Sequence, residues 1–190
     1  MLTKKSIVYF SEPGEINTDE TLKAAKERAD ELGIRDIVVA STRGPAGLKT
    51  VEMFKGHNVV VVRHVTGQKE PGVQELSEEF AKKIETSGGK ILTSGHAFSG
   101  VNRAIQKQFD TMYPAGIIAQ TLRLFGQGMK VVVEIAAMAA DAGMIPADKD
   151  VMVIAGSGKG SDTAVVIKPA NSHNLFDMVV KEIVAKPSKL

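Results

Sequence analysis

Cysteine is absent from this chain of 190 residues. That absence removes disulfides, thiolate catalysis and Cys-ligated zinc or iron–sulfur centres. A large charge of one sign is missing as well. The formal charge of +2 is too mild to indicate nucleic acid, and no stretch interleaves basic with aromatic residues, so no nucleic-acid partner is expected. The one basic cluster, Lys181 to Lys189, reads as the end of a solvated helix. No apolar run approaches the roughly 18–20 residues of a membrane span. The few apolar residues after Lys5 fall short of the roughly 7–15 of a signal-peptide core. No membrane contact and a cytoplasmic location are therefore expected. The four histidines include no pair at metal-ligand spacing, so no metal site is expected. Linkers, low-complexity segments and tandem repeats are also missing, which leaves one domain over residues 1–190.

With 43% hydrophobic and 24% charged residues, the chain can bury a real core. Strand and helix signals alternate, the pattern of a mainly parallel sheet with helices on both faces. Five runs read as strands: Ile7 to Phe10, Ile37 to Ala40, Val59 to Val62, Ile91-Leu92 and Val151 to Ile154. Each leads into Gly with Ser or Thr. Ligands in open α/β sheets sit outside the carboxyl ends of the strands, so these loops are expected to form one binding face. A first helix from Thr18 puts Leu22, Ala25, Ala29 and Leu32 on one stripe and stops at Gly33. A second runs from about Ala46 to Phe54. A third, after Pro71-Gly72, carries Leu76, Phe80 and Ile84. Three helices follow between Phe98 and Ala142, the last nearly apolar all round and so expected to be buried. Only seven residues separate Ala155 from Thr163, too few for a parallel crossover. Thr163 to Ile167 should therefore return antiparallel. A closing helix is expected to bury Leu175, Phe176, Val179, Val180 and Ile183.

Two loops carry candidate chemistry. In Ser41-Thr42-Arg43-Gly44-Pro45-Ala46-Gly47, two hydroxyls, one guanidinium and the N–H groups of a helix start suit a phosphate; an N-capping turn uses the same residues. In Gly156-Ser157-Gly158-Lys159-Gly160-Ser161-Asp162-Thr163, a point charge sits among glycines that let backbone lie against an anion. Lys159 is followed by Gly160, so this is no Walker loop, and a ligand-free hairpin turn also fits. On this reading Arg43→Ala, or a bulky β-branched residue at Gly44, weakens ligand binding without unfolding the chain.

His64 and His96 both follow strands, where ligand contact, acid–base work and a plain loop role all fit. His57 and His173 read as surface or capping residues. Asn17 reads as a helix cap. Glu134 lies in the apolar helix and needs a partner, with Arg103 or Arg123 the expected cation. Met112, Met129, Met138 and Met152 read as core filler.

The stretch from Asp36 to Thr66, with Ser41-Thr42-Arg43-Gly44, resembles the phosphate-loop unit of the pyruvate kinase C-terminal domain, and Asp150 to Pro169 resembles that domain's last hairpin. The whole chain resembles the small stand-alone archaeal and bacterial proteins of that superfamily. The matching residues are Pro13-Gly14 with Asn17-Thr18, Val38-Val39-Ala40-Ser41, His64 with Thr66-Gly67, Gly128 through Glu134, and Gly160 with Asp162-Thr163. The resemblance implies an α/β/α sandwich, strand order 3-2-1-4-5 with the last strand antiparallel, and an added N-terminal strand. Its switch point would lie between the Ile37 and Val151 strands.

The catalytic barrel of pyruvate kinase has no counterpart in these residues, so no pyruvate kinase activity is expected. The ligand most compatible with the stand-alone family is flavin mononucleotide (FMN), in a sensing or carrier role. Its expected contacts are Ser41, Thr42, Arg43, Gly44, Gly47, His64, Thr66, Gly67, Gly95, His96, Gly156, Ser157, Gly158, Lys159, Gly160, Asp162 and Thr163. The alternative is a flavin-dependent oxidoreductase or an enzyme acting on a phosphosugar. A homo-oligomer is expected from the pyruvate kinase domain's role in subunit contacts.

Overall fold

A computed structural model describes residues 4–189. The first half alternates strand and helix: β1 (Val8–Phe10), α1 (Thr18–Leu32), β2 (Asp36–Ala40), α2 (Pro45–Met53), β3 (Asn58–Arg63), α3 (Glu78–Thr86) and β4 (Lys90–Thr93). Three helices follow, α4 (Val101–Phe109), α5 (Pro114–Arg123) and α6 (Gln127–Asp141), then β5 (Val151–Ala155), β6 (Thr163–Lys168) and β7 (Val179–Pro187).

The boundaries follow local chemistry. Asp19 and Glu20 occupy the first turn of α1, where carboxylates offset the positive end of the helix. Gly33 closes that helix in the left-handed conformation at φ 65°, which a residue with a Cβ adopts at a cost. At α3, the Ser77 hydroxyl caps the Phe80 N–H at 3.3 Å.

All strands join one sheet, in the order β1-β7-β6-β5-β2-β3-β4. Counted from β2, the segment β4-β3-β2-β5-β6 follows the expected 3-2-1-4-5 arrangement, with β6 antiparallel to β5. The full order differs in detail, because β7 and β1 extend the sheet and β6 is an interior strand. The added strand β1 is present and runs parallel to β7, Val8 opposite Ala185.

Residues alternate between the two faces of the strands, as a pleat requires. In β2, Ile37 and Val39 share a core with α1, α2 and α3 through Leu22, Val51 and Ile84. Val38 points to the opposite core, built on Val132, Ala136 and Ala139 of α6. Helix α6 is the buried, nearly all-apolar helix that the sequence predicts. Helix α4 buries none of its residues.

Several expectations fail. The closing helix is instead a short 3-10 segment (Ser172–Asp177) followed by strand β7. Val179, Val180, Ile183 and Val184 are β-branched and fit a pleated strand. As a strand the segment also gains ladder partners, β6 from Val179 to Ala185 and β1 from Ala185 to Pro187. Phe176, expected inside, is 87% exposed. The basic cluster therefore lies on a strand, where Lys181 pairs with Asp150 at 2.7 Å. Leu32 and Met112 are exposed, whereas Met129, Met138 and Met152 are core residues as expected. His173 is exposed, but the His57 side chain is buried edge-on against Phe54. No helix among the described residues is long and apolar enough to cross a membrane.

Candidate functional site

Strand β2 pairs with β3 on one side and β5 on the other. The connections leave in opposite directions there, which opens a crevice at the carboxyl ends. A cavity of about 1060 Å³ occupies that place, between Ala40, Val62 and Gly156 at the strand ends and the helices α4 to α6. Nine Lys or Arg and four Asp or Glu line it, against 24 and 22 in the whole chain. The excess of positive charge is thus concentrated at the site. Lys49, Lys69 and Lys130 are paired with Asp19, Glu75 and Glu134. Arg43, Arg63, Arg103, Lys107, Arg123 and Lys159 form no ion pair among the described residues, and supply the surplus.

The first anion loop leaves β2 and enters α2. Pro45 has no N–H, and the Gly47 N–H is taken by the Ser41 hydroxyl at 3.0 Å. The Leu48 N–H starts the helical ladder by bonding the Gly44 carbonyl. The Ala46 N–H is therefore the helix donor left for a ligand. The second loop leaves β5, the next strand in the sheet, so Arg43 and Lys159 flank one opening; both are exposed.

Several expected contacts are scaffold instead. Asp162 is fully buried and accepts from the N–H groups of Gly14 and Ser157 at 2.8 and 3.0 Å and from the Thr163 hydroxyl. A Cβ on Gly156 would overlap the Gly160 carbonyl oxygen, and one on Gly128 would overlap Thr163 Oγ1. The glycines and Asp162-Thr163 thus fold the hairpin, and Lys159 is its charge on the cavity lining. Thr66, Gly67 and Gly95 are exposed and, with Gly44, Gly47, Ser157, Asp162 and Thr163, do not line the cavity.

Gly44 also departs from expectation, because it is buried with φ 111° and its Cβ would lie 2.6 Å from Phe80. Gly44→Val should therefore destabilise the fold by about 2 kcal/mol through backbone strain and overpacking. Chemical denaturation reads this directly, and an unchanged midpoint would show that the turn rearranges.

The site brings together groups far apart in sequence. His64 Nδ1 lies 2.7 Å from Glu75 Oε2, and His64 Nε2 lies 3.2 Å from Thr42 Oγ1. The hydrogen bond from His64 holds the Glu75 carboxyl below its ordinary range, and Lys69 adds to this. The rings of His64 and His96 are 5.4 Å apart. Behind His96, Glu134 is almost fully buried and bonds Lys130. It also accepts from the Phe98 N–H at 3.0 Å. Burial pushes the Glu134 carboxyl up, but His96, Lys130 and the Phe98 N–H outweigh it and hold it at about 2. Its cation is therefore Lys130, one helical turn away, rather than Arg103 or Arg123. Arg123 instead donates to Gln127 at 2.8 Å. Asn17 stands at the α1 cap position, yet its side chain bonds the Glu12 carbonyl rather than the helix.

The sequence reading missed Glu75 and Lys130. Lys130 carried a signal, its position four residues before Glu134 on one helix face. Glu75 carried none, since an irregular loop sets its approach to His64.

The pyruvate kinase alpha/beta domain family matches residues 19–167. The chain belongs to that family. Solved pyruvate kinases of Cryptosporidium parvum are also similar, at low identity. One is 10% identical over 72% of this chain and 20% of its own, with a TM-score of 0.37. Another, in complex with ADP, is 10% identical over 78% of this chain and 22% of its own, with a TM-score of 0.38. This pyruvate kinase alpha/beta domain thus spans about a fifth of the length of those enzymes.

Proposed function

We propose that the crevice binds a phosphorylated small molecule, with FMN the preferred ligand, and that the domain carries or senses it without pyruvate kinase activity. The observation that carries this reading is the two cations with no ion pair among the described residues, Arg43 and Lys159, on the adjacent loops after β2 and β5. The Ala46 N–H and the Thr42 hydroxyl add donors for a phosphate. The cavity has the volume of a cofactor site, and Phe98, Ala119, Ile135 and Met138 give it an apolar wall suited to a flat ring. The residues present therefore fit FMN, with Thr42, Arg43, Ala46 and Lys159 holding its phosphate. Bound flavin would supply electron-transfer chemistry.

The absorption spectrum of the purified chain tests the reading, followed by mass spectrometry of whatever heat releases. Flavin bands with one FMN per chain support it. A protein that is colourless and stays so with added FMN rejects that ligand and leaves a phosphosugar.

Arg43→Ala and Lys159→Ala should each weaken phosphate-ester binding by about tenfold, the worth of one charge-assisted hydrogen bond. Both side chains are exposed, so melting should be unchanged. Equal affinity by calorimetric titration would remove that residue from the phosphate site.

The Thr42, His64 and Glu75 chain favours a second reading, in which the bound molecule is also turned over.

A further inference from the structure

We propose that Thr42, His64 and Glu75 form a nucleophile, base and positioning relay, and that the cavity hydrolyses carboxylic esters bearing a negative charge. This goes beyond ligand carriage and does not require flavin.

The direction of the hydrogen bonds carries the argument. A carboxylate only accepts, so at 2.7 Å Glu75 fixes the neutral His64 proton on Nδ1. The Nε2 lone pair is then free to accept the Thr42 hydroxyl proton across 3.2 Å. That is the order a hydroxyl nucleophile needs, with base and orienting group in line. Glu75 is itself fixed, because its other oxygen is held by Lys69 at 3.1 Å and its side chain is only 12% exposed. The Gln74 amide pins the His64 carbonyl at 3.0 Å, which steadies the base.

A second observation points to a substrate. His96 Nε2 is buried with no partner among the described residues, on the ring 5.4 Å from His64 and lining the same cavity. A polar ligand atom between the two imidazoles would satisfy it. The surplus cations select for anionic substrates.

Thr42 Oγ forms a bond to the ester carbonyl carbon while its proton passes to His64 Nε2. Glu75 stabilises the imidazolium that results. The bond from carbon to the leaving oxygen then breaks, and that oxygen takes the proton. Water, deprotonated by His64, next attacks the acyl carbon; the bond from that carbon to Thr42 Oγ breaks, His64 returns the proton to Oγ, and the net change is ester plus water to acid plus alcohol.

The test uses the purified full chain without added flavin. It is treated with mono-4-nitrophenyl succinate, with neutral 4-nitrophenyl acetate, and with a fluorophosphonate followed by peptide mapping. A nitrophenol burst, about tenfold or greater preference for the anionic ester, and an adduct on Thr42 support the relay. No adduct, or one on Ser41 or elsewhere, overturns it. Thr42→Ser should keep the burst and Thr42→Ala should lose it. Glu75→Gln should lower kcat by about a hundredfold or more with KM unchanged; equal kcat would overturn the relay. Flavin binding is read separately by absorbance, so either reading can fail alone.

Discussion

Glu134→Ala is expected to cost about 3–5 kcal/mol of folding stability, the loss that follows when one partner of a buried ion pair is removed. Glu134 is 2% and Lys130 8% exposed. Truncation would leave the ammonium unpaired and the Phe98 N–H without its acceptor. The double substitution Lys130→Met with Glu134→Leu should recover most of the loss, since removing both charges removes the desolvation cost as well. Urea denaturation of the single and double variants checks both statements. A loss under about 1 kcal/mol for the single variant would mean that cavity water solvates Lys130, whose side chain reaches the cavity lining.

The same carboxyl sets a pH dependence of known sign. Its native value of about 2 lies below the ordinary 4.5, so the unfolded chain binds the proton more readily. The contribution is fully present above 4.5 and is lost as pH falls from there towards 2. Wild-type stability should therefore drop more steeply across that interval than the stability of the double variant.

The strands around the crevice were legible because β2, β3 and β5 are continuous apolar runs rich in β-branched residues in a buried, mainly parallel sheet. The turn from β5 to β6 was legible from loop length alone. Strand β7 was not, because Leu175, Phe176, Val179, Val180 and Ile183 are spaced as on a helix; the ladder with β6 and β1 decided it. At the cavity, glycine and hydroxyl residues after strands marked two loops that border it, those after β2 and β5. They did not separate ligand donors from scaffold, since Gly156, Asp162 and Thr163 suit a phosphate cradle as well as a tight hairpin. Only the packing assigns them. The relay was invisible because the residues before Glu75 follow no period that would aim it at His64.

Asp162→Ala should cost about 3–5 kcal/mol and abolish phosphate binding in consequence. The fully buried carboxylate holds three donors, two of them backbone N–H groups from segments nearly 150 residues apart. Bonds to a charged acceptor contribute about 1.5–3 kcal/mol each. Gly14 and Ser157 would lose their tie, and with it the glycine hairpin that carries Lys159. A direct ligand contact makes a different forecast, lost affinity at unchanged stability, which is what Lys159→Ala should show. Measuring melting and phosphate-ester affinity on both variants separates the roles. If Asp162→Ala melts with the wild type but fails to bind, the carboxylate belongs to the ligand site. If both quantities fall together for Asp162→Ala and only affinity falls for Lys159→Ala, the hairpin is a scaffold presenting one charge.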